Sequence, residues 1–250
     1  MLGRSLVASQ RFEYKYLISE VQAAQVRAFA SCYLVPDSHI VPALGNEYPV
    51  YSLYLDSHGL HLYHSSVAGH KDRFKLRVRF YDERPDTPAF LEVKARKGEV
   101  VVKQRAEVRK SAVGRVLNTY CGSPDDLVAA DSAGRAGLER FCELCAKLDA
   151  RPTVLLRYLR EPYTDPSGGP LRVTMDRCVA CLRTDRVLLT DDHPGWIALP
   201  NQPIVLEIKF TDTFPLWLSD MVRELDLVRV RSPKYVRSVD ALAALGVGVA

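Results

Sequence analysis

From Lys71 to Arg79 the odd positions are all cations: Lys71, Arg73, Lys75, Arg77 and Arg79. From Phe74 onward the even positions are apolar: Phe74, Leu76, Val78 and Phe80. A period of two sends successive side chains to opposite faces of an extended strand, so this segment is predicted as a strand with one basic face. Like charges two residues apart on one strand face repel each other. Whatever the chain folds into must therefore offer that face either bulk water or a compensating anion.

The same alternation recurs in five further segments. Arg11, Glu13 and Lys15 oppose Phe12, Tyr14 and Tyr16, while Glu92, Lys94 and Arg96 oppose Leu91, Val93 and Ala95. Lys103, Arg105 and Glu107 oppose Val102, Ala106 and Val108. Arg172, Thr174 and Asp176 oppose Val173 and Met175, and Glu207 and Lys209 oppose Leu206, Ile208 and Phe210. Two architectures accommodate such strands. One is a sandwich whose charged faces are solvated; the other is an inside-out barrel with helices against its apolar exterior and charges pointing into a lumen. Solvated faces usually mix Ser, Thr, Gln, Glu and Lys. The concentration of Arg and Lys over six strands favours the barrel, whose lumen would attract a polyanion.

Strands are predicted at 11–18, 48–56, 71–81, 90–97, 100–108, 153–163, 171–177, 179–183 and 204–211. Helices are predicted at 20–30 behind the capping Ser19, at 59–66, through 111–148 with a break at Gly122-Ser123-Pro124, and at 215–225 and 234–245. The expectation is an α+β fold: a closed antiparallel eight-stranded β-barrel with helices packed on its outside. A single domain over 1–250 is expected, with its core at about 10–245 and a helical insertion at about 111–149. A formal net charge of +4 gives no global nucleic-acid-binding character, so local clustering must carry any argument about anions. The two C-x-x-C pairs, Cys142/Cys145 and Cys178/Cys181, lack a glycine-rich knuckle or flanking His and read as buried free thiols rather than zinc ligands. His58, His61 and His64 have helical spacing but no supporting ligand set. No apolar run reaches membrane-spanning length and the N-terminus lacks a signal-peptide core, so the cytoplasm is the expected location.

The carboxylates interleaved with the cations, Glu13, Glu92 and Glu207, sharpen the chemistry. A pure anion binder has no need of them. Carboxylates beside Lys and Arg suit a hard divalent metal shared with substrate phosphates, the equipment of phosphoryl transfer.

In order, Arg11-x-Glu13-x-Lys15-Tyr16, Arg77-x-Arg79-x-Tyr81, Glu92-x-Lys94, Lys103-x-Arg105, Arg172-x-Thr174-x-Asp176, Glu207-x-Lys209 and Pro233-Lys234-Tyr235 resemble the VTC domain. This is the polyphosphate polymerase domain of the vacuolar transporter chaperone complex and its bacterial relatives, within the CYTH-like triphosphate tunnel metalloenzymes. The resemblance spans about 10–245. It implies an eight-stranded tunnel, Mn²⁺ or Mg²⁺ as cofactor, and transfer of the terminal phosphate of ATP or another nucleoside triphosphate to polyphosphate. It implies a catalytic set of Lys15, Arg77, Arg79, Lys94, Arg172 and Lys234. Substrate contacts would come from Arg11, Lys75, Lys103, Arg105, Lys209 and Arg237, and metal ligation from Glu207 helped by Glu13. The implied partners are the nucleotide and polyphosphate or pyrophosphate, not nucleic acid, with a separate membrane or kinase-like protein supplying any membrane function. Two positions depart from the pattern. Arg11 stands where the wider group begins Glu-x-Glu-x-Lys, which removes one metal ligand. Lys234-Tyr235-Val236-Arg237 replaces Lys-aromatic-Ser-Lys, leaving Ser238 as the nearest hydroxyl. The alternatives are a non-catalytic polyphosphate- or nucleotide-binding module and a triphosphatase of the CYTH type.

Overall fold

The computed structural model describes residues 11–40, 45–98 and 100–248, without the side chains of Arg11 and Lys97. The chain runs β1 (Arg11–Ile18), α1 (Glu20–Ser31), β2 (Val35–Pro36), β3 (Tyr48–Asp56), α2 (His61–Val67), β4 (Asp72–Phe80), β5 (Pro88–Lys97) and β6 (Val100–Arg109). There follow α3 (Lys110–Thr119), α4 (Ser132–Leu148), β7 (Arg151–Thr164), β8 (Arg172–Arg183), β9 (Ile197–Ala198), β10 (Ile204–Thr211), α5 (Leu216–Glu224) and α6 (Lys234–Ala244). The strands predicted at 171–177 and 179–183 are one strand, β8, in which Cys178 adopts φ +52°. Among the described residues no helix is long and apolar enough to cross a membrane.

The chain divides into two compact units. The first comprises residues up to Glu47, Arg160–Arg177 and Pro203–Ser232. Here β10 lies between β1 and the first half of β8, with Lys15 opposite Glu207, Glu13 opposite Lys209, and Glu207 opposite Thr174. The even positions of β10 (Leu206, Ile208 and Phe210) join Tyr16, Val173 and Met175 in a core closed by Ala23, Val26 and Ala30 of α1 and by Leu218 and Met221 of α5. Helix α1 starts where predicted, because Ser19 and Gln22 form a reciprocal capping box. It is held sideways by a bidentate Arg27–Glu161 pair at 2.7 and 3.1 Å, with Tyr163 donating to the same carboxylate at 2.7 Å.

The second unit comprises Tyr48–Leu159, Cys178–Gln202 and the residues from Pro233 onward. Strands β3, β4, β5 and β6 form an antiparallel meander. Leu53, Leu55, Leu76, Val78, Phe80, Leu91, Val93, Ala106 and Val108 make one apolar face, covered by Val113, Val116 and Leu117 of α3 and by Leu138, Phe141, Leu144 and Cys145 of α4. Each fully buried Leu or Phe of this set stabilises the fold by about 1.5–3 kcal/mol. Helix α4 comes so close to β6 that a Cβ at Gly137 would stand 2.7 Å from the carbonyl oxygen of Arg105, a distance only glycine permits.

The antiparallel sheet and the covering helices agree with the expected α+β class, but the closed barrel does not. The hydrogen-bonded order is β1-β10-β8-β7-β3-β4-β5-β6, with β2 and β9 as two-residue additions to β7 and β8. Among the described residues the terminal strands β1 and β6 do not pair with each other. The physical reason lies at their outer edges, each partly taken by a local segment. Tyr16 bridges Arg229, and Val230 donates to the Lys15 carbonyl at 2.8 Å; Val108 bridges Leu127, and Val128 donates to the Glu107 carbonyl at 3.0 Å. One helix also departs from the expected exterior position. Tyr235, Val239 and Leu242 of α6 pack with Val50, Tyr54 and Tyr158, on the side of β3 that carries the polar residues.

Candidate functional site: two charged strand faces

Opposite α3 and α4, the second unit presents its cations in cross-strand rows. Tyr54, Arg77, Glu92 and Arg105 oppose one another along β3, β4, β5 and β6. The next row is Lys75, Lys94 and Lys103, three lysines in direct register. On the other side lie Ser52, Arg79, Phe90 and Glu107. Directly opposed like charges destabilise a sheet. Glu92, fully buried, is the counterweight. Its Oε2 accepts from Arg77 Nε at 2.6 Å, its Oε1 meets Lys103 Nζ at 2.6 Å, and Arg105 Nε is 3.6 Å away. The remaining polarity is phenolic. Arg77 donates to the Tyr54 hydroxyl at 3.2 Å and Arg79 to the Tyr158 hydroxyl at 3.2 Å. The Lys234 ammonium sits 4.8 Å from the centre of the Tyr158 ring, and the Arg105 guanidinium lies 3.4 Å over Phe90.

The cations around this buried carboxylate shift the protonation of their neighbours. Burial alone would raise Glu92, but Arg77, Arg79 and Lys103 hold it far below the usual carboxylate range. Burial brings Lys103 down to about 8 against the pull of Glu92. Burial would raise Tyr54 too, yet Arg77, Lys75 and Arg79 outweigh it and bring the phenol down to about 8.

The charged face of the first unit is balanced instead. Lys15 Nζ lies 2.9 Å from Glu13 Oε1 and 3.2 Å from Glu207 Oε2, and Lys209 Nζ is within 2.5 Å of Glu207 Oε1. Arg160 forks onto Asp176 at 2.7 and 2.8 Å. Burial opposes the charge on Lys15, but the two carboxylates raise its pKa and keep it a cation. Glu13 and Glu207 are oxygen donors of the kind hard divalent cations take. Among the described residues no group of three His, Cys, Asp or Glu side chains could hold a metal ion. In this structure these oxygens meet ammonium groups: Glu13 Oε1 and Glu207 Oε2 that of Lys15, and Glu207 Oε1 that of Lys209.

A family model, the VTC domain, matches residues 10–243. The chain belongs to the VTC domain family. The resemblance read from the strand motifs is thus borne out. No curated protein matches the sequence. Among solved structures, a "putative adenylate cyclase" from Bacillus halodurans is similar in fold, with a TM-score of 0.51 and 11% identity, covering 90% of this chain and 94% of its own. The PH1819 protein of Pyrococcus horikoshii aligns with a TM-score of 0.46 and 13% identity, covering 95% of this chain and 99% of its own.

The positions implied by the VTC motifs are distributed between the two faces. Arg77, Arg79, Lys75, Lys94, Lys103 and Arg105 come together in the second unit, where α6 adds Lys234. Arg237 is half-buried in α6, with burial lowering its pKa. Lys15, Glu13, Glu207 and Lys209 come together in the first unit. Arg172 turns to Asp37 at 2.6 Å. The side chain of Arg11 lies outside the described residues. Ser238 is fully buried within α6, so it offers no accessible hydroxyl in place of the one missing at Val236. A cavity of about 470 Å³, lined by Tyr51, Arg157, Cys178 and Gln202 among others, contains none of these positions.

The sequence reading missed Arg160, Ser52, Tyr54 and Tyr158. A period-two count over β7 puts Tyr158 and Arg160 on one strand face, so that signal was present. Tyr54 and Ser52 carry no charge and share a strand with apolar neighbours. Of the cysteines, Cys142, Cys145 and Cys181 are buried free thiols, whereas Cys32, Cys121 and Cys178 are exposed.

Proposed function

We propose that this VTC-family chain is a metal-dependent phosphotransferase that moves the terminal phosphoryl group of a nucleoside triphosphate, ATP above all, onto a polyphosphate or pyrophosphate acceptor. The observation that carries this reading is the excess of cations on the β4–β6 face. Along β4, Arg73 to Arg79 extends about 20 Å, at about 3.3 Å per residue. That is longer than a triphosphate group and suits a chain of phosphates. Guanidinium forks at Arg77 and Arg79 and the point charges of Lys75, Lys94 and Lys103 match phosphate oxygens.

In the reaction, an oxygen of the acceptor's terminal phosphate forms a bond to the γ-phosphorus as the bond from that phosphorus to the β–γ bridging oxygen breaks, releasing the nucleoside diphosphate. An anionic phosphate nucleophile needs no strong general base. Arg77, Arg79 and Lys94 stabilise charge on the transferring group. Glu207 and Glu13 would hold Mn²⁺ or Mg²⁺, which neutralises phosphate charge when bound. Lys15 lies against both carboxylates and Lys209 against Glu207.

The test is incubation with ATP and Mn²⁺ or Mg²⁺, with and without a polyphosphate primer, followed by chain-length analysis on gels. Longer polyphosphate is the expected product. Inorganic phosphate without polymer would replace this reading with a triphosphatase. Tight, salt-sensitive ATP binding with no turnover in any metal would replace it with a binding module.

A further inference from the structure

We propose that Asp56 and Tyr235 form a buried strut that positions Lys234 on the cation-rich face of the second unit. The inference rests on the reading of that face as a phosphate-chain site. Asp56, at the end of β3, is 1% exposed. Its Oδ1 accepts from the backbone N–H groups of Ser57 and Leu62, both at 2.8 Å. Its Oδ2 accepts from the Tyr63 N–H at 2.9 Å and the Tyr235 hydroxyl at 2.7 Å. Two of these donors, the N–H groups of Leu62 and Tyr63, would be satisfied by any acceptor that caps α2, whose N-cap residue Leu60 has no capping side chain, and Ser57 is the residue next to Asp56. The Tyr235 hydroxyl belongs to neither α2 nor the turn before it. It reaches across from α6.

Tyr235 is held at both ends. Its hydroxyl is on Asp56, and its ring stacks on Tyr54 with centroids 4.9 Å apart and planes 15° apart. It is itself 1% exposed. A side chain fixed at ring and hydroxyl fixes the rotation of the helix that carries it. Lys234 is the first residue of α6, behind Pro233, which supplies no side-chain cap. The anchor next to it therefore decides where its ammonium points, over the Tyr158 ring whose hydroxyl accepts from Arg79. Among the described residues Asp56 accepts from Ser57, Leu62, Tyr63 and Tyr235, so it acts on Lys234 through Tyr235, as a positioning residue.

The test is a double-mutant cycle read by calorimetric binding of inorganic tripolyphosphate. Losing one charge-assisted hydrogen bond weakens binding about tenfold, so Lys234→Ala is expected to do so. Tyr235→Phe keeps the ring and removes the hydroxyl, and is expected to cost about fivefold. If the strut acts through Lys234, the double variant binds no worse than Lys234→Ala alone. A second readout is lysine acetylation followed by mass spectrometry. Tripolyphosphate should protect Lys94 and Lys234 in the wild type, but only Lys94 in Tyr235→Phe. Multiplying losses in the cycle, or full Lys234 protection in Tyr235→Phe, would overturn the inference. Should Tyr235→Phe not fold, the same footprint on Asp56→Asn decides it. Wild-type protein that binds no tripolyphosphate would sink the phosphate reading and the strut together. Binding that is sensitive to Lys94→Ala but indifferent to Tyr235→Phe would sink the strut alone.

Discussion

The two charged faces share a construction and differ in balance. Each is the polar side of antiparallel strands whose other side is a helix-covered core. In the first unit Glu13, Glu207 and Asp176 meet Lys15, Lys209 and Arg160 nearly one for one, by short ion pairs. In the second, Glu92 meets Arg77, Lys103 and Arg105, and Lys75, Arg79 and Lys94 share the face with Glu107. The first face satisfies its own charges. On the proposed reading the second takes up an anion. The difference teaches that alternation of charge along a strand marks a charged face, while the ratio of acid to base across strands tells one such face from another.

The largest effect that can break this comparison is on stability. Glu92→Gln leaves Arg77 and Lys103 without their buried counter-charge and should cost about 3–5 kcal/mol in urea unfolding. Glu13→Gln leaves Lys15 still paired with Glu207 and should cost about 1 kcal/mol or less. Tripolyphosphate should restore part of the Glu92→Gln loss through binding to the folded state. Equal losses at the two positions would erase the distinction between the faces. The acid limb carries the same sign. The folded pKa of Glu92 lies below its unfolded value, so its contribution is present above the ordinary carboxylate range of about 4 and disappears as pH falls toward the folded value.

Ligand binding gives the next largest effect. Lys94→Ala should weaken tripolyphosphate binding about tenfold, the loss of one charge-assisted contact. Lys209→Ala, which removes a cation already matched to Glu207, should weaken it less than about threefold. Conversely, Glu207→Ala should abolish metal-dependent turnover while leaving metal-free tripolyphosphate binding in place, as shown by calorimetry without divalent ions.

A smaller effect comes from pH. Lys103 and Tyr54 both titrate at about 8. Above that value Lys103 loses a positive charge and Tyr54 gains a negative one, so both changes make the face less positive. Tripolyphosphate affinity should therefore fall several-fold between pH 7 and 9, and Tyr54→Phe should flatten the decline. A pH dependence of the same steepness in Tyr54→Phe would show that Tyr54 does not face the anion.

How much of this was legible in the sequence depends on the distance over which each feature is decided. Strand faces are decided locally by a period of two, so Arg77, Arg79, Lys94, Lys103 and Glu92 fall on one side without further information. The helical segment at 111–148 announces itself with its break at Gly122-Ser123-Pro124. Barrel closure was not legible, because it depends on which segment reaches an edge first. Residues 127–128 take part of the edge of β6 and residues 229–230 part of that of β1. The position of α6 was not legible either. An amphipathic pattern shows that a helix has an apolar face but not which side of a sheet it covers. The carboxylates looked alike in sequence. Register separates them: Glu92 is enclosed by cations, whereas Glu13 and Glu207 share Lys15.

Arg172 provides the smallest and most discriminating test. The VTC motifs placed it among the phosphate-holding residues, yet its guanidinium donates to Asp37 at 2.6 Å, and its side chain is 49% exposed. Half-exposed ion pairs contribute about 0–1 kcal/mol, so Arg172→Ala should lower stability by no more than that. Burial would raise Asp37, but its bonds with His39 and the charge of Arg172 leave it below its ordinary value, so the carboxylate keeps partners when Arg172 is removed. If the pair is structural, Arg172→Ala weakens tripolyphosphate binding less than about twofold, and Asp37→Asn leaves binding unchanged. If Arg172 leaves Asp37 for a phosphate, Arg172→Ala weakens binding as much as Lys94→Ala, and Asp37→Asn strengthens it by freeing the guanidinium. The second outcome would make the first unit's balance conditional: a face neutral at rest that lends a cation when the anion arrives.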